Sequence, residues 1–153
     1  YELIVNLIYP MPNLENLLAA FRQQSLAMGV ISNAQFFTPL LFEWFLDARM
    51  EQLGFDSELV FLSYQLGYAK PSMVPFNMAA SAINTKGFNA ADALFVGNDM
   101  LNDIYPAHRL GFQTALFAGD ARSLRLRADE SRCSNLSADL ILTDLAQLIE
   151  HLT

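Results

Sequence analysis

The sequence predicts an α/β protein: a Rossmann-like, three-layer parallel sheet with helices on both faces. Three observations lead there. Short apolar runs alternate along the chain with amphipathic stretches of helical period. The runs are apolar at successive positions rather than every second one, the mark of strands buried on both faces. The joins are brief and rich in Gly, Asn and Asp, as between the units of an alternating sheet. At 153 residues the chain has the length of one domain, so 1–153 is expected to form a single core.

Each element follows from its local composition. Leu3 to Tyr9, with Ile4, Val5 and Ile8, is β-prone and ends at Pro12 and Asn13. Asn13 is a candidate cap for a helix from Leu14 to Gln24, whose apolar positions are Leu14, Leu17, Leu18 and Phe21. Leu26 to Ile31 reads as a buried strand that stops at Ser32 and Asn33. Thr38 and Pro39 open a second helix through Leu41, Phe45, Ala48 and Met50, ending near Gly54. Leu59 to Ser63 is a strand, Ser72 to Ile83 a helix and Ala93 to Val96 a strand. Asp103 to Leu110 is a short helix closed by Gly111, and Gln113 to Phe117 is another strand. From Gly119 to Ser137 four arginines lie among Asp and Ser without a period, which reads as an exposed excursion. Leu140 to Leu142 gives the last strand and Leu145 to Leu152 the closing helix. Phe36, Phe37, Phe42, Trp44 and Phe45 form an aromatic-rich group expected to pack in the core.

Composition narrows the function classes. Sixteen acidic residues against nine basic ones give a net charge of −7 and a pI near 4.6, which repels nucleic-acid phosphates and anionic membrane surfaces. Neither is an expected partner. Cys133 is the only cysteine, which excludes an internal disulfide and a multi-cysteine zinc site and suits a reducing cytoplasm. Hydrophobic residues make up 53% and charged ones 16%, an apolar balance that calls for a covering surface. The chain opens on Tyr1 rather than methionine, so a processed product or a piece of a longer protein is expected.

In sheets of this class ligands bind beyond the carboxyl ends of the strands. Three such ends carry chemistry. Ser32-Asn33 follows the first buried strand; Gly67-Tyr-Ala-Lys70-Pro71 lies a few residues past another; Gly97-Asn98-Asp99 follows a third, with Asp103 four residues on. Together they hold a hydroxyl, an ammonium and two carboxylates, the parts that grip an oxyanion and a divalent cation. Two close carboxylates repel unless a counter-charge such as Mg²⁺ joins them. Gly97 lets the backbone turn sharply and approach a ligand. Each group also has an ordinary use: Ser32, Asn33 and Asp103 as helix caps, Asp99 in a turn, Lys70 on the surface. His108 and His151 lack neighbours at metal-ligand spacing.

A hydroxyl after one strand, a lysine before the next helix and Gly-x-Asp-x-x-x-Asp after a later strand resemble the haloacid dehalogenase-like (HAD) hydrolase superfamily. The matching runs are Val30 to Asn33, Gly67 to Pro71 and Phe95 to Ile104, with Ala107 to Ala115 similar to the helix and strand that follow. The resemblance implies a Mg²⁺-dependent phosphatase of a small phosphorylated metabolite, working through an aspartyl-phosphate. It makes Ser32 and Lys70 catalytic: the hydroxyl on a phosphoryl oxygen, the ammonium offsetting charge. It has Asn33 and Asn98 line the substrate pocket, and Asp99 and Asp103 hold Mg²⁺. Asn98 stands where many members carry an acid, so the metal role passes to Asp99. A metal-independent 2-haloacid dehalogenase is the near alternative, and a non-catalytic remnant that binds phosphate or a partner is the alternative of another class.

The family's first motif, Asp-x-Asp, occurs nowhere in the sequence. In the family it ends the central strand, between those corresponding here to 27–31 and 93–96. The chain is therefore expected to be the carboxyl-terminal part of a core domain, lacking that strand and most or all of a cap, and inactive alone. A missing amino-terminal segment or another chain is expected to complete the sheet, with Leu3 to Ile8 as a partial substitute.

Overall fold

The computed structural model describes residues 9–150. The β-prone Leu3 to Ile8 stretch lies outside them, as do the last two residues of the expected closing helix. Among the described residues the order is α1 (Leu14–Gln23), β1 (Met28–Ser32), α2 (Thr38–Leu46), β2 (Phe55–Leu62), α3 (Ser63–Leu66) and α4 (Met73–Thr85), followed by β3 (Leu94–Gly97), α5 (Tyr105–Arg109), β4 (Gln113–Phe117), β5 (Leu140–Leu142) and α6 (Ala146–Glu150). A single widened turn, Met100–Ile104, links β3 to α5. No described helix is long and apolar enough to cross a membrane.

All strand pairs among the described residues are parallel, and they form two separate ladders. β1 pairs with β2, and β3, β4 and β5 pair in that order. What joins the halves is α4 on one face. Its Phe76 and Ala79 pack with Phe61 of β2, Ala107 of α5 and Phe112, with Ile31 of β1 and Phe95 of β3 against the same cluster. The Phe76 and Phe95 rings lie 5.1 Å apart between centroids. On the opposite face Leu17 of α1 and Leu148 of α6 cover Ala115, Phe117 and Leu142. That cover stops short of β3, whose Leu94 and Val96 are exposed. Among the described residues β1 and β3 thus each keep one edge outside either ladder, and the open face of β3 adjoins it.

Several expectations need correction. Asn13 adopts a left-handed conformation and does not cap α1; its Nδ2 donates to Asp144 Oδ1 at 2.8 Å, tying α1 to the approach to α6. The second helix ends at Leu46 rather than near Gly54, and the following strand starts four residues early, at Phe55. Between Met28↔Phe55 and Val30↔Val60 the longer β2 bulges, and Gly29 sits against Leu59, where a Cβ would come within 2.7 Å of the Leu59 carbonyl oxygen. The aromatic group is not core: α2 buries none of its residues, and Phe36 and Trp44 are 75% and 55% exposed. A helix apolar on every side has no polar face to send to water, so periodicity could not decide which side it would bury.

Candidate active site at the strand ends

The tight end of β3 organises the site. Asp99 and Asp103 are among the few buried charged residues, 7% and 3% exposed. Asp103 folds back over Gly97, where an added Cβ would lie 2.3 Å from its own Cβ. Only a residue without a side chain fits beneath it. Its Oδ2 accepts hydrogen bonds from the backbone N–H groups of Asn98 and Asp99, both at 3.0 Å. Its Oδ1 accepts from Lys70 Nζ at 2.5 Å.

Lys70 arrives there because its loop is clamped. The peptide between Lys70 and Pro71 is cis. Asn33, just beyond β1, accepts from the Lys70 N–H at 2.6 Å through Oδ1 and donates to the Lys70 carbonyl at 3.0 Å through Nδ2. Its two-sided amide satisfies both backbone groups of one residue and holds the ammonium between Asp103 and the Phe95 ring, 5.8 Å from the ring centroid. Ser63 makes a similar tie, exchanging hydrogen bonds with both backbone groups of Ala34. Ser32 is the last residue of β1, half-buried and opposite Leu62. Three strand ends that are far apart in sequence are therefore linked: Ser32-Asn33 to Lys70, and Lys70 to Asp103.

Asp99 does something the sequence did not anticipate. Its carboxylate turns to Arg127, which forks onto it through Nε to Oδ1 at 3.0 Å and Nη2 to Oδ2 at 2.6 Å. Asp99 Oδ1 also accepts from the N–H groups of Leu101 and Asn102, and Oδ2 from Asn102 Nδ2. Burial pushes its pKa up, but Arg127 and the Asn102 and Leu101 amides outweigh it and hold the carboxyl below its usual range. Asn98 donates through Nδ2 to the Ser123 carbonyl, and Arg125 pairs with both neighbours of Asp99, its N–H on Asn98 and its carbonyl on the Met100 N–H. The Gly119 to Ser137 excursion, read from sequence as exposed, is mostly so, and it is also laced to the rim. Arg127 is the functional candidate that sequence reading missed. Its only signal was a place among the arginines of that excursion, with no period to single it out.

The donor set can be tested against Mg²⁺. A carboxylate offers about four lone-pair sites, and the two oxygens of Asp99 already accept five hydrogen bonds. As placed, Asp99 does not fit a direct ligand. Asp103 fits better, because a single donor, Lys70, is on its Oδ1. Among the described residues there is no group of three or more His, Cys, Asp or Glu that could enclose an ion. One carboxylate with substrate oxygens and water is nevertheless a common arrangement for Mg²⁺.

Comparison with known proteins identifies the fold. No family model matches the chain. Two solved structures superpose over nearly all of it. The HAD-hydrolase YfnB of Bacillus subtilis, described as bound to magnesium, gives a TM-score of 0.69 at 18% identity, covering 93% of this chain and 54% of its own. A HAD phosphatase of Thermococcus onnurineus gives 0.66 at 18% identity, covering 92% and 57%. The chain has the haloacid dehalogenase-like fold. By sequence it is 33% identical over 106 residues to a ribulose-1,5-bisphosphate 5-phosphatase of Halopiger xanaduensis, a match over 64% of this chain and 43% of that protein. The chain thus spans about half the length of these three proteins, and the resemblance drawn from its three motifs holds at the level of fold.

Proposed function

We propose that this chain carries the phosphate-gripping half of a Mg²⁺-dependent phosphohydrolase acting on a small phosphorylated metabolite. The Lys70–Asp103 pair, delivered to the end of β1 by the Asn33 clamp, is the observation that carries it. An ammonium beside a buried carboxylate at the carboxyl ends of parallel strands suits an anionic ligand with its counter-cation. The Ser32 hydroxyl donates to a phosphoryl oxygen, Lys70 offsets charge on the phosphoryl group, and Asp103 supplies a carboxylate for Mg²⁺. The ion, when bound, adds neutralising charge at the phosphate. Asn33 acts by placing Lys70, and Asn98 lines the rim. The phosphatase name of the Halopiger xanaduensis relative supports a phosphate ester as substrate.

In this reading the attacking aspartate, absent from the sequence as an Asp-x-Asp pair, comes from a segment preceding these residues or from another chain, and enters between β1 and β3. The single buried thiol and the acidic surface suit a reducing cytoplasm and a protein that engages neither nucleic acid nor membrane. The test is direct. The chain is titrated with inorganic phosphate with and without Mg²⁺, and assayed against a panel of sugar and aryl phosphates. Phosphate binding that strengthens with Mg²⁺, vanishes in Lys70→Ala and proceeds without turnover is expected. Turnover by the chain alone would overturn the external nucleophile, and absence of any phosphate binding would overturn the whole proposal.

A further inference from the structure

We propose that Arg127 and Asp99 form a strut that positions Asp103, so that Asp99 serves the site by holding its backbone rather than by binding the cation. The inference rests on the reading above for what Asp103 holds, but not for the strut itself.

The argument starts at the backbone. Asp103 is oriented by two N–H groups, those of Asn98 and Asp99. Those peptides cannot swing without moving its Oδ2. They are fixed from the outer side by Arg125, which brackets them with a hydrogen bond to the Asn98 carbonyl and another from the Met100 N–H. Two residues on, Arg127 closes the bracket with its fork on the Asp99 carboxylate. A planar guanidinium on a carboxylate fixes direction as well as distance, which a lysine could not do. The same carboxylate caps the turn that carries Asp103, through the Leu101 and Asn102 N–H groups. The pair therefore joins three things: the excursion, the Asn98-Asp99 peptides and the start of the Met100–Ile104 turn.

Two further observations favour a strut over a carboxylate in reserve. Arg127 has a φ of +57°, in the left-handed region that a non-glycine residue occupies when its surroundings hold it there. The Asp99 side chain is 9% exposed, whereas that of Arg127 is 38% exposed, so the carboxylate faces inward and the guanidinium closes over it. Removing a positioning partner of this kind lowers metal affinity without removing a ligand.

The experiment sets opposite signs against each other. Mg²⁺ binding is measured by calorimetry, well below the unfolding temperature, for the unaltered chain and for Arg127→Ala, Asp99→Asn, the double variant, Arg127→Lys and Asp103→Asn. A strut predicts that Arg127→Ala and Asp99→Asn weaken binding to a similar degree, by about tenfold or more. It also predicts that the double variant is no worse than either and that Arg127→Lys restores little. A cation-binding Asp99 predicts the reverse for arginine: freeing the carboxylate in Arg127→Ala leaves Mg²⁺ affinity unchanged or raised, while Asp99→Asn loses it. That pattern would overturn the proposal. Arg132→Ala, which removes a pair with Glu130 in the same excursion, controls for a merely structural loss and should leave Mg²⁺ affinity unchanged. If the unaltered chain binds no Mg²⁺, the metal reading fails while the strut is still decided by amide hydrogen exchange. Faster exchange at Asn98, Asp99 and Met100 in Arg127→Ala, matched and not exceeded in the double variant, upholds it; unchanged exchange rejects it.

Discussion

Gly97 shows how one missing side chain sets the site. Asp103 Cβ, Cγ and Oδ2 would lie 2.3, 2.4 and 2.6 Å from a Cβ at this position. The obstructing atoms include the root of the side chain, not only its flexible end, so no rotation of Asp103 relieves the overlap. Gly97→Ala is expected to push Asp103 off the Asn98 and Asp99 N–H groups and away from Lys70. Magnesium-assisted phosphate binding should then fall by at least tenfold, as for loss of a positioning contact, with the chain still folded by circular dichroism. Unchanged binding would mean that the placement of Asp103 is unimportant. From sequence, Gly97 reads as a sharp turn that lets the backbone approach a ligand; in the structure it leaves space for the carboxylate six residues on.

At the scale of elements, side-chain staples replace missing ladder contacts. Thr114 of β4 is fully buried, and both its N–H and its hydroxyl donate to Asp139 Oδ2, at 2.8 and 2.7 Å, just before β5 begins. The Asp139 N–H donates back to Thr114 Oγ1. These bonds, the Thr114 hydroxyl first, hold the Asp139 carboxyl below its usual range. A lowered folded pKa contributes stability that is complete above the unfolded value, near pH 4 for aspartate, and is lost as pH falls through the folded value. Asp139→Ala should therefore lower the urea midpoint at pH 7, at a cost of about 1–3 kcal/mol for the stranded Thr114 donors. The gap between variant and unaltered chain should narrow as pH falls below about 4; a gap constant with pH would refute the assignment.

At the scale of the whole molecule, the described residues form two parallel half-sheets bolted by α4. Rows of unpaired backbone groups beside an apolar face are costly to leave and ready to accept a strand. Among the described residues β1 and β3 each pair on one side only, and Leu94 and Val96 of β3 lie open beside that gap. We expect a β-prone segment joined to the amino end of this chain to raise the unfolding temperature by several degrees, since about 1 kcal/mol moves a domain of this size by roughly 2–4 °C or more. It should also slow exchange of the β1 and β3 amides selectively. A fused segment that leaves those amides unchanged would show that the gap is filled from elsewhere.

The alternation of elements, the parallel pairing, and Ser32, Lys70 and Asp103 as residues of the strand ends were all legible in the sequence, because each rests on local information: apolar runs, helical period, and the position just beyond a strand. Asn33 was legible as a rim residue but not as the clamp on Lys70, because its two bonds span 37 residues of chain. The partner of Asp99 was not legible at all. A carboxylate at that position serves equally for a cation or for an arginine, and only the path of the excursion brought Arg127 within reach. The exposure of α2 and the split sheet were likewise decided by three-dimensional packing, because burial depends on which surfaces meet, and a sequence records which surfaces are apolar but not which of them find a neighbour.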